Sequence, residues 1–72
     1  MEKPTLAEAR KQWGISANEL ARQAGVAAST IRRIEHGVPP HMETITKIAY
    51  ALECAPETID WPGDPFGMGA WR

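Results

Sequence analysis

Residues 24–37 read AGVAASTIRRIEHG. Small residues open the segment. Ile31 and Ile34 then stand three apart, with Ser29, Arg32 and Arg33 set around them. Positions three or four apart share one face of a helix. The spacing therefore predicts a helix over residues 28–36 that buries Ile31 and Ile34. Ser29, Arg32 and Arg33 fall on the opposite side. Gly25 and Gly37 bracket the segment, and glycine enters the left-handed region that ends helices at little cost. Val26, just before the helix, is a third apolar anchor.

Working outward, Ser16, Ala17, Asn18 and Glu19 form a capping box, in which hydroxyl and carboxylate each take one free backbone N–H. A helix over 17–24 follows, with Leu20, Ala21 and Ala24 facing inward. Thr5, Leu6, Ala7 and Glu8 form a second box, which starts a helix over 6–13 with Leu6, Ala9 and Trp13 on its inner face. Downstream, Val38, Pro39, Pro40 and His41 make a loop, since proline lacks the N–H a helix needs. A helix over 42–52 carries the apolar stripe Ile45, Ile48, Ala49 and Leu52. Residues 55–61 predict a short fifth helix with Pro56 at its first position. Residues 62–72 are rich in Pro and Gly and predict an irregular tail, yet they hold Phe66, Met68 and Trp71. The expected fold is all-α: five compact helices in residues 1–61, then an aromatic-containing tail over 62–72.

The chain has 72 residues, enough for one small domain. Its lone cysteine, Cys54, excludes an internal disulfide and suits a reducing, cytoplasmic setting, where it fills space as a small apolar group. No apolar run reaches membrane-spanning length, and no secretory signal opens the chain. The net charge is −1 but unevenly spread. Residues 1–52 hold seven Lys and Arg against five Asp and Glu; residues 53–72 hold one against four. A basic body with an acidic tail fits a localised phosphate-facing surface. His36 and His41 have no Cys or carboxylate cluster at metal-ligand spacing, so no metal is expected. No nucleophile–base pattern, phosphate-binding glycine loop or paired acids appears, so neither an enzyme nor a cofactor is expected.

The second and third predicted helices belong together. Ala21 lets two helices cross closely, Gly25 turns the chain, and Val26, Ile31 and Ile34 hold the third helix from beneath. This is a helix-turn-helix over about 17–36. The outer face of its second helix is left free for a DNA major groove.

The run GISANELARQAGVAASTIRRIEHG, followed by PHMETITKIAYAL, resembles the phage repressor and Cro family, also called the xenobiotic-response-element (XRE) family. The resemblance covers residues 6–61. It implies a lambda-repressor-like fold and a sequence-specific regulator of transcription. The expectation is a repressor that binds a palindromic double-stranded DNA operator as a homodimer, in the cytoplasm at the nucleoid. It implies a structural ion pair between Arg10 and Glu35, which a bidentate arginine–carboxylate contact would lock. It implies base contacts from Arg33 first, then Ser29 and Arg32, with Ala28 and Ala27 offering methyl groups. Arginine recognises guanine O6 and N7 with two hydrogen bonds. It implies phosphate contacts from the Ala17 and Asn18 N–H groups, Thr30, His36 and His41, with Arg22 and Lys11 as alternatives. The proline-filled loop lacks the family's frequent basic residues, so a shallower salt dependence is expected. The dimer contact is expected from Thr58, Ile59, Trp61, Phe66 and Trp71, or those aromatics cover the chain's own core. Two other readings stay open. One is the antitoxin of a toxin–antitoxin pair that represses its own operon, with a toxin or an anti-repressor as protein partner. The other is a protein-interaction module that keeps the fold without binding DNA.

Overall fold

Each helix forms where the chain supplies a start, an apolar stripe and a stop. The structure, a computed structural model, describes residues 3–63 and 65. Four α-helices follow one another: α1 (Leu6–Gln12), α2 (Ala17–Ala24), α3 (Ala28–Glu35) and α4 (Met42–Ala51). A single 3-10 turn, Pro56–Thr58, comes after them. Among the described residues the architecture is all-helical, with four α-helices rather than five helices.

The start of α1 is a complete capping box. The Glu8 N–H donates to the Thr5 hydroxyl at 3.2 Å, and the Thr5 N–H donates to the Glu8 carboxylate at 2.9 Å. At α2 only half of the predicted box forms. The Ser16 hydroxyl accepts the Glu19 N–H at 3.0 Å. The Glu19 carboxylate turns instead to Arg22 and Gln23, donors one turn further along the same helix. These contacts hold the Glu19 carboxyl below the usual carboxylate range, the Gln23 bond first and the Arg22 bond second. A depressed carboxyl supports the fold above its unfolded pKa and loses that support as pH falls through its folded value.

One core joins all four helices. Leu6 and Ala9 of α1, Leu20 and Ala21 of α2, Ile31 and Ile34 of α3, and Ile45 and Ile48 of α4 meet there, closed by Leu52, Ile59 and Trp61. Ala24, Val26 and Cys54 are half-buried at its margin. The expectation that Trp13 belongs to this core is corrected, because the residue is 52% exposed. The helix stops at Gln12, the chain reverses at Gly14, and Ile15 packs against the core instead.

The fifth helix is also corrected. Only residues 56–58 coil, because Ile59 is already extended (φ −110°, ψ 142°). That extension lets the Asp60 N–H donate to the Pro4 carbonyl at 2.8 Å, beside an isolated parallel bridge between Thr5 and Asp60. It also swings Trp61 under the core, where its indole N–H donates to the Pro56 carbonyl at 2.7 Å. Beyond it, Gly63 (φ +82°) lies so close to the 38–40 loop that an added Cβ would sit 2.7 Å from the Pro39 Cβ.

The end of α4 carries a backbone cost. The Glu53 N–H donates to the Tyr50 carbonyl and the Cys54 N–H to the Ala49 carbonyl. This paired closure places its left-handed residue at Glu53, φ +55°. An L side chain is strained there, by about 1–2 kcal/mol. Glu53→Gly is expected to raise the unfolding free energy by about 0.5–1 kcal/mol, since glycine's greater freedom in the unfolded chain offsets part of the relief. Urea denaturation followed by circular dichroism checks this; a destabilised variant contradicts it.

Candidate nucleic-acid interface

The candidate interface is built on α2 and α3, which pack on each other more extensively than any other pair of described elements. Ala21, 3% exposed, is the small contact residue of α2. Gly25 then turns the chain at φ +74°, and the Val26 N–H closes back to the Ala21 carbonyl at 3.0 Å. Because α2 also packs on α4, the motif stands on a braced platform.

Ile31 and Ile34 face that platform at 0% and 4% exposure. Ser29, Arg32 and Arg33 are exposed on the other side of α3, and Ala27 is exposed at its start. Ala28 is half-buried and packs against the core, so its methyl group is partly committed to holding α3 in place.

Arg10 ties the motif to α1. Its Nε donates to Glu35 Oε2 at 2.8 Å and its Nη2 to Glu35 Oε1 at 3.2 Å. A third bond runs from Nη1 to the Ile15 carbonyl at 3.1 Å. One guanidinium thus joins α1, the end of α3 and the loop into α2. The Glu35 hydrogen bonds raise the Arg10 pKa; partial burial opposes them, and the attraction of the same carboxylate adds to them. Both side chains are 16% exposed, so water screens the pair only in part. Arg10→Ala and Glu35→Ala are each expected to cost about 1–2 kcal/mol. The double variant should cost less than the two losses together. Additive losses in urea denaturation would contradict the coupling.

The other arginines divide sharply. Arg22 pairs with Glu19 on its own helix. Arg32 and Arg33 face no carboxylate among the described residues. Of the four described arginines, the two without a counter-charge are therefore adjacent on the outer face of α3. Arg33 borders a hollow of about 210 Å³ between α3 and the loop into α4, lined also by Thr30, Val38, Pro40, His41 and Thr44.

Of the expected phosphate-contacting groups, Asn18 bonds Arg32, and Thr30 and His41 line the hollow beside Arg33. Ala17 and Asn18 occupy the first turn of α2, where backbone N–H groups lack helical acceptors. His36 closes α3, His41 precedes α4, and both are exposed. Thr30 is half-buried, and Lys11 is exposed on α1.

Of the residues expected in a dimer contact or as core cover, two fit the second alternative. Ile59 and Trp61 are each 3% exposed, consumed by the core of their own chain. Thr58 is exposed, and its hydroxyl donates to the Ala55 carbonyl. Phe66 and Trp71 lie outside the described residues. Two features escaped the sequence reading. Tyr50 is 85% exposed near the end of α4; its place off the Ile45–Ile48–Leu52 stripe was a signal for this. The Asn18 side chain accepts a hydrogen bond from Arg32, a contact across fourteen residues that no local pattern announces.

Among the described residues no His, Cys, Asp and Glu group is arranged to hold a metal ion, and no helix is long and apolar enough to cross a membrane. No curated protein and no solved structure gives a significant match to the chain. The helix-turn-helix family model HTH_3 matches residues 6–59, which spans the whole of α1 to α4 and the turn after them. With its motif, its platform and its outward arginines in these positions, the chain belongs to the XRE, Cro and lambda-repressor family of helix-turn-helix domains, a family of DNA-binding regulators.

Proposed function

We propose that this protein is a sequence-specific regulator of transcription that binds a palindromic double-stranded DNA operator as a homodimer and represses. The observation that carries the reading is the pair of guanidiniums without a counter-charge on the free face of α3, in a domain whose other described arginines are matched to carboxylates. Two exposed cations with no carboxylate beside them keep their charge available to a polyanion, whose phosphates they neutralise with release of counterions. Residues 1–61 form the DNA-binding unit. Arg33 and Ser29 contact base edges, with Ala27 close enough to touch a thymine methyl. The free N–H groups of Ala17 and Asn18, with Thr30, His36 and His41, fix the register on phosphates.

A single domain spans one half-site, so two copies are needed for a palindrome. With Ile59 and Trp61 committed to the core, the exposed end of α4 around Tyr50 is the face we assign to the second copy. Tyrosine offers a large apolar area with a polar tip, which suits such contacts.

The test is a gel shift of genomic duplex fragments at two salt concentrations, with light scattering on the shifted species. Selective retention of some fragments, weakened by salt, with two chains per duplex, is the expected result. Two chains without selectivity would contradict the operator reading. No shift at either salt would favour a protein-interaction module on the same fold.

A further inference from the structure

Arg32 and Arg33 are neighbours in sequence but not in setting. Successive residues on a helix point roughly 100° apart. Arg32 leans toward α2, where its Nη2 donates to Asn18 Oδ1 at 3.1 Å. Arg33 leans toward the loop into α4 and has no hydrogen-bond acceptor among the described residues. The two guanidiniums are thereby drawn apart along one surface.

We propose that Asn18 is a positioning residue that holds Arg32 off the base-reading face, so that Arg32 supplies charge to the DNA backbone while Arg33 reads sequence. This rests on the DNA-binding function proposed above. Reading a guanine with two hydrogen bonds needs a guanidinium edge presented whole. The bond from Arg32 Nη2 to Asn18 occupies one of the two paired N–H edges of that guanidinium and anchors it toward α2, so a guanine contact would have to form through the remaining edge from that tethered position. A phosphate oxygen makes no such demand. It accepts from the remaining N–H groups, of which a guanidinium has five, and leaves the Asn18 bond in place. Asn18 is neutral, so it orients Arg32 without cancelling its charge; the carboxylates beside Arg10 and Arg22 do cancel theirs. Asparagine at position 18 thus steers a cation and preserves it.

The test uses duplexes selected from a random pool by the wild-type protein, and then single-base-pair variants of the winner. Arg32→Ala is expected to weaken binding about equally on every duplex and to lower the slope of log affinity against log salt by about one. Its order of preference among base-pair variants should stay that of the wild type. Asn18→Ala is expected to free Arg32 and to change the preference at one position per half-site. Both side chains are exposed, so circular dichroism should show both variants folded. If Arg32→Ala abolishes discrimination at a defined base pair, Arg32 reads sequence and the division is wrong. An Asn18→Ala profile identical to wild type removes the positioning role. If the wild type enriches nothing from the pool, the DNA-binding reading fails first, and the division falls with it.

Discussion

Trp61→Ala is expected to lower the unfolding free energy by about 3–5 kcal/mol, the usual cost of deleting a fully buried indole. The ring is 3% exposed, and its N–H is satisfied by the Pro56 carbonyl at 2.7 Å. It lies against the start of α1 and the end of α3, where Leu6 and Ile34 line the same hollow. Truncation therefore removes apolar burial, leaves a cavity and strips the Pro56 carbonyl of its donor. Domains retain about 0.05–0.15 kcal/mol per residue, so a chain of 72 residues has little beyond this loss to spare. Each kcal/mol moves the melting temperature of so small a domain by about 4–8 °C, and the variant should melt more than about 12 °C below the wild type. Trp13→Ala is the matched control. Trp13 is 52% exposed at a helix end, and surface changes of that kind usually stay within about 0.5 kcal/mol. Thermal denaturation of the two variants side by side checks the assignment, and equal losses would contradict it.

Arg33→Ala should have the largest effect on binding. A bidentate arginine–guanine contact contributes about 1–3 kcal/mol of discrimination. In a two-fold complex the loss occurs in each half-site, which gives about 2–6 kcal/mol for the dimer, roughly 30-fold to more than 10⁴-fold in affinity for the preferred duplex. Binding to unselected duplex should fall far less, since that depends on charge. Arg33→Lys separates charge from geometry: lysine keeps the charge but not the planar fork. It should restore salt-dependent binding to unselected duplex and not the preference. Titration of both variants on preferred and unselected duplexes gives the comparison. Full selectivity in Arg33→Ala would transfer base reading to other residues of α3.

The motif was legible because its determinants are local. Thr5 with Glu8, Gly25 as a turn, and Ile31 and Ile34 opposite Ser29, Arg32 and Arg33 lie within a few residues of each other, and each does in the structure what its spacing implied. The tryptophans were not legible for the opposite reason. Trp13 has the helical phase of a core residue, but phase does not tell how the chain leaves the helix; here it turns at Gly14, and Ile15 fills the place. Trp61 was expected on a fifth helix, either in a dimer contact or covering the chain's own core, and local pattern does not choose between the two. Its burial depends on Ile59 going extended and Asp60 reaching Pro4, a contact between opposite ends of the domain. The Glu19 carboxylate was misread because two donors downstream outcompete the cap. Within the candidate site, the arginine pair was visible in sequence. The different settings of its two members were not, because Asn18 comes from another helix.

The proposed function requires that the free face of α3 discriminate among DNA sequences. Repeated selection of bound duplexes from a random pool by the wild-type protein measures this most directly. The predicted outcome is enrichment of an inverted repeat with half-site centres about 10 base pairs apart and a guanine at a fixed position in each half. A retained pool as diverse as the starting one would contradict it.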